Sequence, residues 1–170
     1  MGDCRIPGGD GNLTPLIEFQ RQCLNMTSAL VNAEANLFAM LDDQGQPLDI
    51  VRRCTVQGIE PVFWRCLKDL AMFNPLLCTD TVVATDIRRH SGVLRGSGSL
   101  NEFGRWVEYP HLACMYFRRQ QRVVAIIGMQ RHSTMGSFSR EEQQRLEVVQ
   151  PVIEHALNQA FLVPAGGRIH

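Results

Sequence analysis

The side chains with the most chemical potential in this chain are six cysteines, five histidines and a scatter of aromatics, and their spacing limits what they can do. Cys4, Cys23, Cys54, Cys66, Cys78 and Cys114 lie far apart, with no C-x-x-C pair. A zinc knuckle or a dithiol redox centre needs paired thiols, so neither is read here. His90, His111, His132, His155 and His170 are equally isolated, and none stands at H-x-x-x-H spacing on one helix face. There is no G-x-S-x-G and no Walker loop. Gly96-Ser97-Gly98-Ser99 lacks the lysine and long helix of a phosphate-binding turn and reads as a flexible loop. No catalytic residue, metal or cofactor is called for.

A concave apolar site is the better candidate. Phe63, Trp64, Phe103, Trp106, Tyr109, Tyr116 and Met129 can surround a cavity, with Arg65, Glu102 or Arg105 as polar anchors. Buried indoles need a hydrogen-bond partner, which favours a pocket wall for the two tryptophans. The same aromatics would also fill an ordinary core, and both readings stand.

Composition narrows the partners. Seventeen basic and seventeen acidic residues cancel. A domain that holds nucleic acid by itself normally carries a basic excess, so direct DNA or RNA binding by this chain is not expected. Arg52-Arg53, Arg88-Arg89 and Arg118-Arg119 are scattered doublets, of the kind found at solvated strand and loop ends. No apolar run approaches the roughly 20 residues that span a bilayer. The N-terminus lacks the apolar segment of a signal peptide, so a cytoplasmic location without a membrane partner is expected.

The elements that must position these residues follow from periodicity. Residues 1–13 read as a disordered leader, 14–162 as one domain and 163–170 as a tail. Thr14-Pro15 starts a helix that runs to about Asn32, with Leu16, Phe19, Cys23, Met26 and Leu30 at helical spacing. Glu34 to Leu41 and Leu48 to Cys54 flank the turn residues Asp42 to Pro47 and read as an antiparallel hairpin. A second helix covers about Val62 to Phe73 and ends at Asn74-Pro75. Residues 76–109 read as a loop-rich excursion, with a short apolar piece at Thr81 to Ala84 and a short helix at Leu100 to Trp106. His111 to Phe117 and Val123 to Arg131 read as buried strands joined by a turn at Arg118 to Arg122; Gly128 marks a bulge or a close approach. Ser139-x-x-Glu142 opens a final helix as a capping box, and Pro151 should kink that helix. Antiparallel strands with helices at the chain ends give an α+β domain.

Three stretches carry a resemblance. They are Phe63-Trp64-Arg65-Cys66-Leu67 with Phe73-Asn74-Pro75-Leu76, the run from Asn101-Glu102-Phe103 through Tyr109-Pro110-His111-Leu112 to Gly128-Met129-Gln130-Arg131, and Phe138-Ser139 with Leu146 and Gln150-Pro151-Val152 to Ala156-Leu157. In order and spacing, from about Val62 to Phe161, they resemble the GAF/PAS-like sensory domain of LuxR-type transcription regulators. Asn74 stands where an aspartate is usual, and Val152 where a histidine often follows the proline.

The resemblance implies a GAF/PAS-like antiparallel sheet with N- and C-terminal helices packed together on one face. It also implies a small-molecule-sensing regulatory domain, for which acyl-homoserine lactones are one ligand option and the ligand is otherwise unknown. A homodimer is expected through the terminal helices, 14–32 and 139–162, with Leu146, Val149, Ile153, Leu157 and Phe161 at the interface; the alternative is that both helices only cap the sheet. The helix-turn-helix that usually follows is not in the sequence, leaving open an excised sensor domain or a stand-alone module that pairs with a regulator. A methionine sulfoxide reductase built on Cys66, Cys78 and Cys114 is the enzymatic alternative.

Overall fold

Two strands whose residues are apolar on both faces must be covered on both faces, and the chain builds its core from that requirement. The computed structural model describes residues 14–53, 56–85 and 107–161. Strands β4 (His111–Arg119) and β5 (Arg122–Arg131) pair antiparallel at the centre of the sheet. Gln120 and Gln121, both at positive φ (50° and 67°), make the two-residue turn between them. That twist matches the right-handed twist of the strands. Strand β1 (Ala35–Leu41) lies on the other side of β5, followed by β2 (Pro47–Arg53) at one edge. Strand β3 (Val83–Thr85), read from sequence as part of an excursion, adds the opposite edge. The order is β2-β1-β5-β4-β3, antiparallel throughout.

Helix α1 (Thr14–Leu30) and helix α3 (Arg140–Ala160) pack side by side on one face. Cys23 and Leu24 from α1 and Leu146, Ile153 and Leu157 from α3 share a core with Phe38, Ala113, Met115, Phe117, Ile127 and Met129 of the sheet. The expected capping box is present: the Ser139 hydroxyl accepts from the Glu142 N–H at 3.1 Å while the Glu142 carboxylate accepts from the Ser139 N–H at 2.8 Å. Glu142 also receives the guanidinium of Arg131 at 2.7 Å. Arg131 is 3% exposed and lies over the Phe138 ring at 3.8 Å. The start of α3 is thereby fastened to the end of β5. The helix runs on through Pro151.

Helix α2 (Ile59–Asp69) covers the opposite face. It begins and ends earlier than its apolar spacing suggests. Gly58, at φ 79°, makes the entry turn, and Pro61 then falls in the first turn, where a missing N–H costs little. The backbone leaves the helix at Leu70, which is extended, and residues 70–78 continue as hydrogen-bonded turns. A fold of this kind is α+β, with the terminal helices together on one face of an antiparallel sheet, as expected.

Candidate functional site

The α2 face is built on one contact. Gly128, in the middle of β5, is flat enough to seat the Phe63 ring; a methyl group at that position would overlap the ring atoms. The glycine therefore marks a close approach, and what approaches is the chain itself. Phe63 is 1% exposed, and the residual hollow beside it, under Ile59 and Glu60, measures only about 20 Å³. That is room for one water at most.

Trp64 packs edge-on against Phe63 (5.1 Å between centroids, 77° between planes) and donates its indole N–H to Glu60 at 3.2 Å. Glu60 in turn pairs with Arg52 on β2. The Arg52 guanidinium holds the Glu60 carboxyl below the usual carboxylate range against the upward push of burial, and the indole helps. Beyond Trp64 opens a cleft of about 890 Å³ between the 42–47 turn and the C-terminal half of α2. Trp64, Leu67, Pro47, Pro75 and Leu76 supply its apolar walls, and Arg65, Lys68 and Asp69 stand at its rim.

A second arrangement joins this side of the molecule to α3. Strand β3 pairs with residues 113–115 of β4, and the Tyr116 N–H still donates to the Val82 carbonyl at 3.0 Å, leaving the edge of β4 from Phe117 onward without a neighbouring strand. Side chains fill that edge. The Tyr116 hydroxyl donates to the Phe73 carbonyl at 2.9 Å, and burial pushes its ionisation upward, so it remains a donor. The Arg118 guanidinium donates to the carbonyls of Cys78 (2.6 Å) and Thr81 (2.7 Å). The backbone of the same two residues is held from α3. Gln150 donates to the Tyr116 carbonyl at 2.7 Å, Glu154 accepts from the Arg118 N–H at 2.6 Å, and Asn158 donates to the Arg118 carbonyl at 2.9 Å. Tyr116 and Arg118 thus grip the 70–82 segment with their side chains and α3 with their backbone.

The residues named from sequence divide accordingly. Phe63, Trp64 and Tyr116 belong to the α2 side. Met129 does not: it points to the opposite face, among Phe38, Ala113 and the terminal helices, and cannot share a pocket with them. Tyr109 stacks edge-on against His132 (5.2 Å), past the end of β5. Phe103 and Trp106 lie outside the described residues, as do Glu102 and Arg105. On α3, Leu146, Ile153 and Leu157 are at most 2% exposed and occupied by their own sheet, so they are not free to meet a second chain. Val149 is half-buried, and Phe161 packs on Phe19 at 5.2 Å. The apolar side chains that α3 turns outward are Val148 and Val152, 74% and 66% exposed.

Three cysteines gather on the α2 face. Cys66, Cys78 and Cys114 are all buried there, and burial pushes the Cys66 thiol up to about 12 and raises the other two as well. An activated thiol needs a shift in the opposite direction. Cys78 donates to the Met72 carbonyl at 2.9 Å, a structural use. Among the described residues, no group of three or more histidines, cysteines and carboxylates could hold a metal, and no helix is long and apolar enough to cross a membrane.

Sequence reading passed over Gln150, Glu154 and Asn158, and it took Arg118 for a solvated turn residue, whereas Arg118 lies in β4 with its guanidinium bound to two carbonyls. One signal was available for the first: Gln150 sits four residues after Leu146 and three before Ile153, a buried position on the apolar stripe. A polar residue there needs a partner.

Comparison with known proteins places the fold. The GAF domain/HD domain protein from Geobacter sulfurreducens superposes with a TM-score of 0.60 at 12% identity, covering 86% of this chain and 95% of that one. GAF3 of Slr1393 from Synechocystis sp. PCC6803, in its photoproduct state, gives 0.54 at 11% identity, covering 89% and 96%. The fold is therefore GAF-like. No protein-family model matches the sequence, and no curated protein does.

Proposed function

We propose that this chain is a small-molecule-sensing regulatory domain of a transcription regulator, not a catalyst, and that it dimerises through its terminal helices. The observation that carries the reading is the double grip of Tyr116 and Arg118. A receptor must convert an event on one face into a displacement elsewhere, and a ligand can do so only through contacts that differ between two states. Here the segment lining the α2 side and the helix on the far side share two residues of one strand. The buried, upward-shifted thiols favour binding over catalysis. Dimer contact falls to Val148 and Val152, beside a shallow hollow of about 420 Å³ bordered by Leu30 and Arg145. Val148 and Val152 serve equally a stand-alone module that pairs with a regulator.

Sedimentation equilibrium tests this. The wild-type chain is expected to dimerise, Val148→Glu/Val152→Glu to be monomeric with an unchanged circular dichroism spectrum, and Tyr116→Phe to shift the dimer dissociation constant. A wild-type chain that stays monomeric at high concentration, or a Tyr116→Phe chain that dimerises as the wild type does, would sink the proposal.

A further inference from the structure

We propose that the cleft between the 42–47 turn and the C-terminal half of α2 binds a small monoanion with a flat apolar body, an aromatic carboxylate in chemical class. This goes beyond the regulatory reading and does not depend on it. The cleft, at about 890 Å³, falls within the range of small-molecule sites. It opens at the end of the sheet where β1 turns into β2.

The walls are held before anything binds. Trp64 is fixed by its hydrogen bond to Glu60 and its edge contact with Phe63, leaving the indole as one wall. Pro47 and Pro75 face the same space with rings that have little freedom to lose. Asn74 stiffens the turn that carries Pro75: its amide donates to the Lys68 carbonyl at 3.2 Å, and its side-chain oxygen accepts from the Leu76 N–H at 2.9 Å. Walls ordered in advance lower the entropic cost of binding. Flat apolar walls favour a flat guest.

The charge follows from what is already matched. Arg65 pairs with Asp69 at 3.3 Å, and Arg52 pairs with Glu60. The Lys68 ammonium has no ion pair or hydrogen bond among the described residues. One cation at the rim is left over, and a single carboxylate balances it. Lys68 is exposed and stays hydrated beside a neutral guest, so a carboxylate gains a modest attraction there, and a cationic guest would be repelled.

The probe is 2-naphthoate, titrated into a Trp106→Phe chain so that Trp64 is the remaining indole, with amide chemical shifts followed in parallel. Saturable quenching is expected, with shifts concentrated in residues 44–46 and 74–76. Lys68→Glu should weaken binding about tenfold, and Lys68→Gln, which removes only the charge, should weaken it by a smaller but measurable factor. The uncharged 2-naphthamide should bind more weakly than the acid. Absence of a saturable response at millimolar probe, shifts confined to other residues, or equal binding of acid and amide would each overturn the assignment. None of these results bears on dimerisation, so the two proposals fail separately.

Discussion

Replacing Gly128 by alanine puts a methyl group into the space of the Phe63 ring, and the cost can be bounded from the surroundings. The ring has nowhere to go: it is 1% exposed, lies against Trp64, and has a residual hollow of only about 20 Å³ beside it. Overpacking of a tight core costs about 1–3 kcal/mol. A glycine in mid-strand is itself unfavourable by about 0.5–1 kcal/mol relative to alanine, which offsets part of that. The expected net loss is therefore on the order of 1–2 kcal/mol. Urea unfolding at constant pH would read it as a midpoint lower by about 0.5–1 M, given slopes near 2 kcal/mol per molar. Phe63→Leu alone should also destabilise, through the cavity it leaves. The decisive measurement is the double variant. If the methyl and the ring compete for one space, Gly128→Ala/Phe63→Leu must be more stable than the sum of the single losses by about 1 kcal/mol. Strict additivity, or a Gly128→Ala chain as stable as the wild type, would mean the ring is not seated there.

Two further perturbations probe the electrostatics. Burial raises the Glu142 carboxyl, but the Arg131 guanidinium and the Ser139 N–H more than reverse this and hold it below the usual range. A carboxyl depressed in the folded state contributes stability above its unfolded pKa, near 4.3, and loses it as pH falls through the folded value. Thermal melts should therefore decline below about pH 4.5, and Glu142→Gln should flatten that limb while lowering stability at neutral pH. Arg131→Met should still be destabilising despite its apolar bulk, because it strands a partly buried carboxylate. Equal acid limbs in wild type and Glu142→Gln would refute the linkage. For the thiols, Cys23, Cys66, Cys78 and Cys114 should resist iodoacetamide at pH 8 in the native state and react only on unfolding, as mapped by mass spectrometry. Rapid native labelling of Cys66 or Cys114 would favour the enzymatic alternative.

Local chemistry was legible in the residues because it depends on neighbours in sequence. The hairpin around Asp42 to Pro47 and the capping box at Ser139 could be read in advance, and Gly128 offered a bulge or a close approach, of which the structure shows the close approach. The edge strand Val83–Thr85 could not, because three residues carry no period, and its partner Ala113 to Met115 is some thirty residues away. The end of α2 was overrun because Phe73 continues the apolar spacing, although the backbone has already turned extended at Leu70. What fastens Phe73 in place is the Tyr116 hydroxyl, a contact no local pattern displays.

What separates Met129 from Tyr116 is one slip of register in the central hairpin. Beside the turn, Arg119 opposes Arg122 and Arg118 opposes Val123. Continued without interruption, that register would set Tyr116 opposite Ala125, and Met129 would share its face. The register slips between Phe117 and Arg118, so Tyr116 opposes Ile126 and Phe117 opposes Ala125. A slip of one residue reverses every later side chain on a strand. Because β4 and β5 are apolar on both faces, their composition gives no warning: either parity buries the same kinds of residue. The single extra residue at Val124 is where that slip is taken up. Deleting Val124 should close the ladder with Phe117 still opposite Ala125 and Tyr116 still opposite Ile126, so Met129 keeps the face of the terminal helices. Such a chain should keep a cooperative thermal melt, since both faces retain their packing, and a non-cooperative melt would refute the bulge assignment.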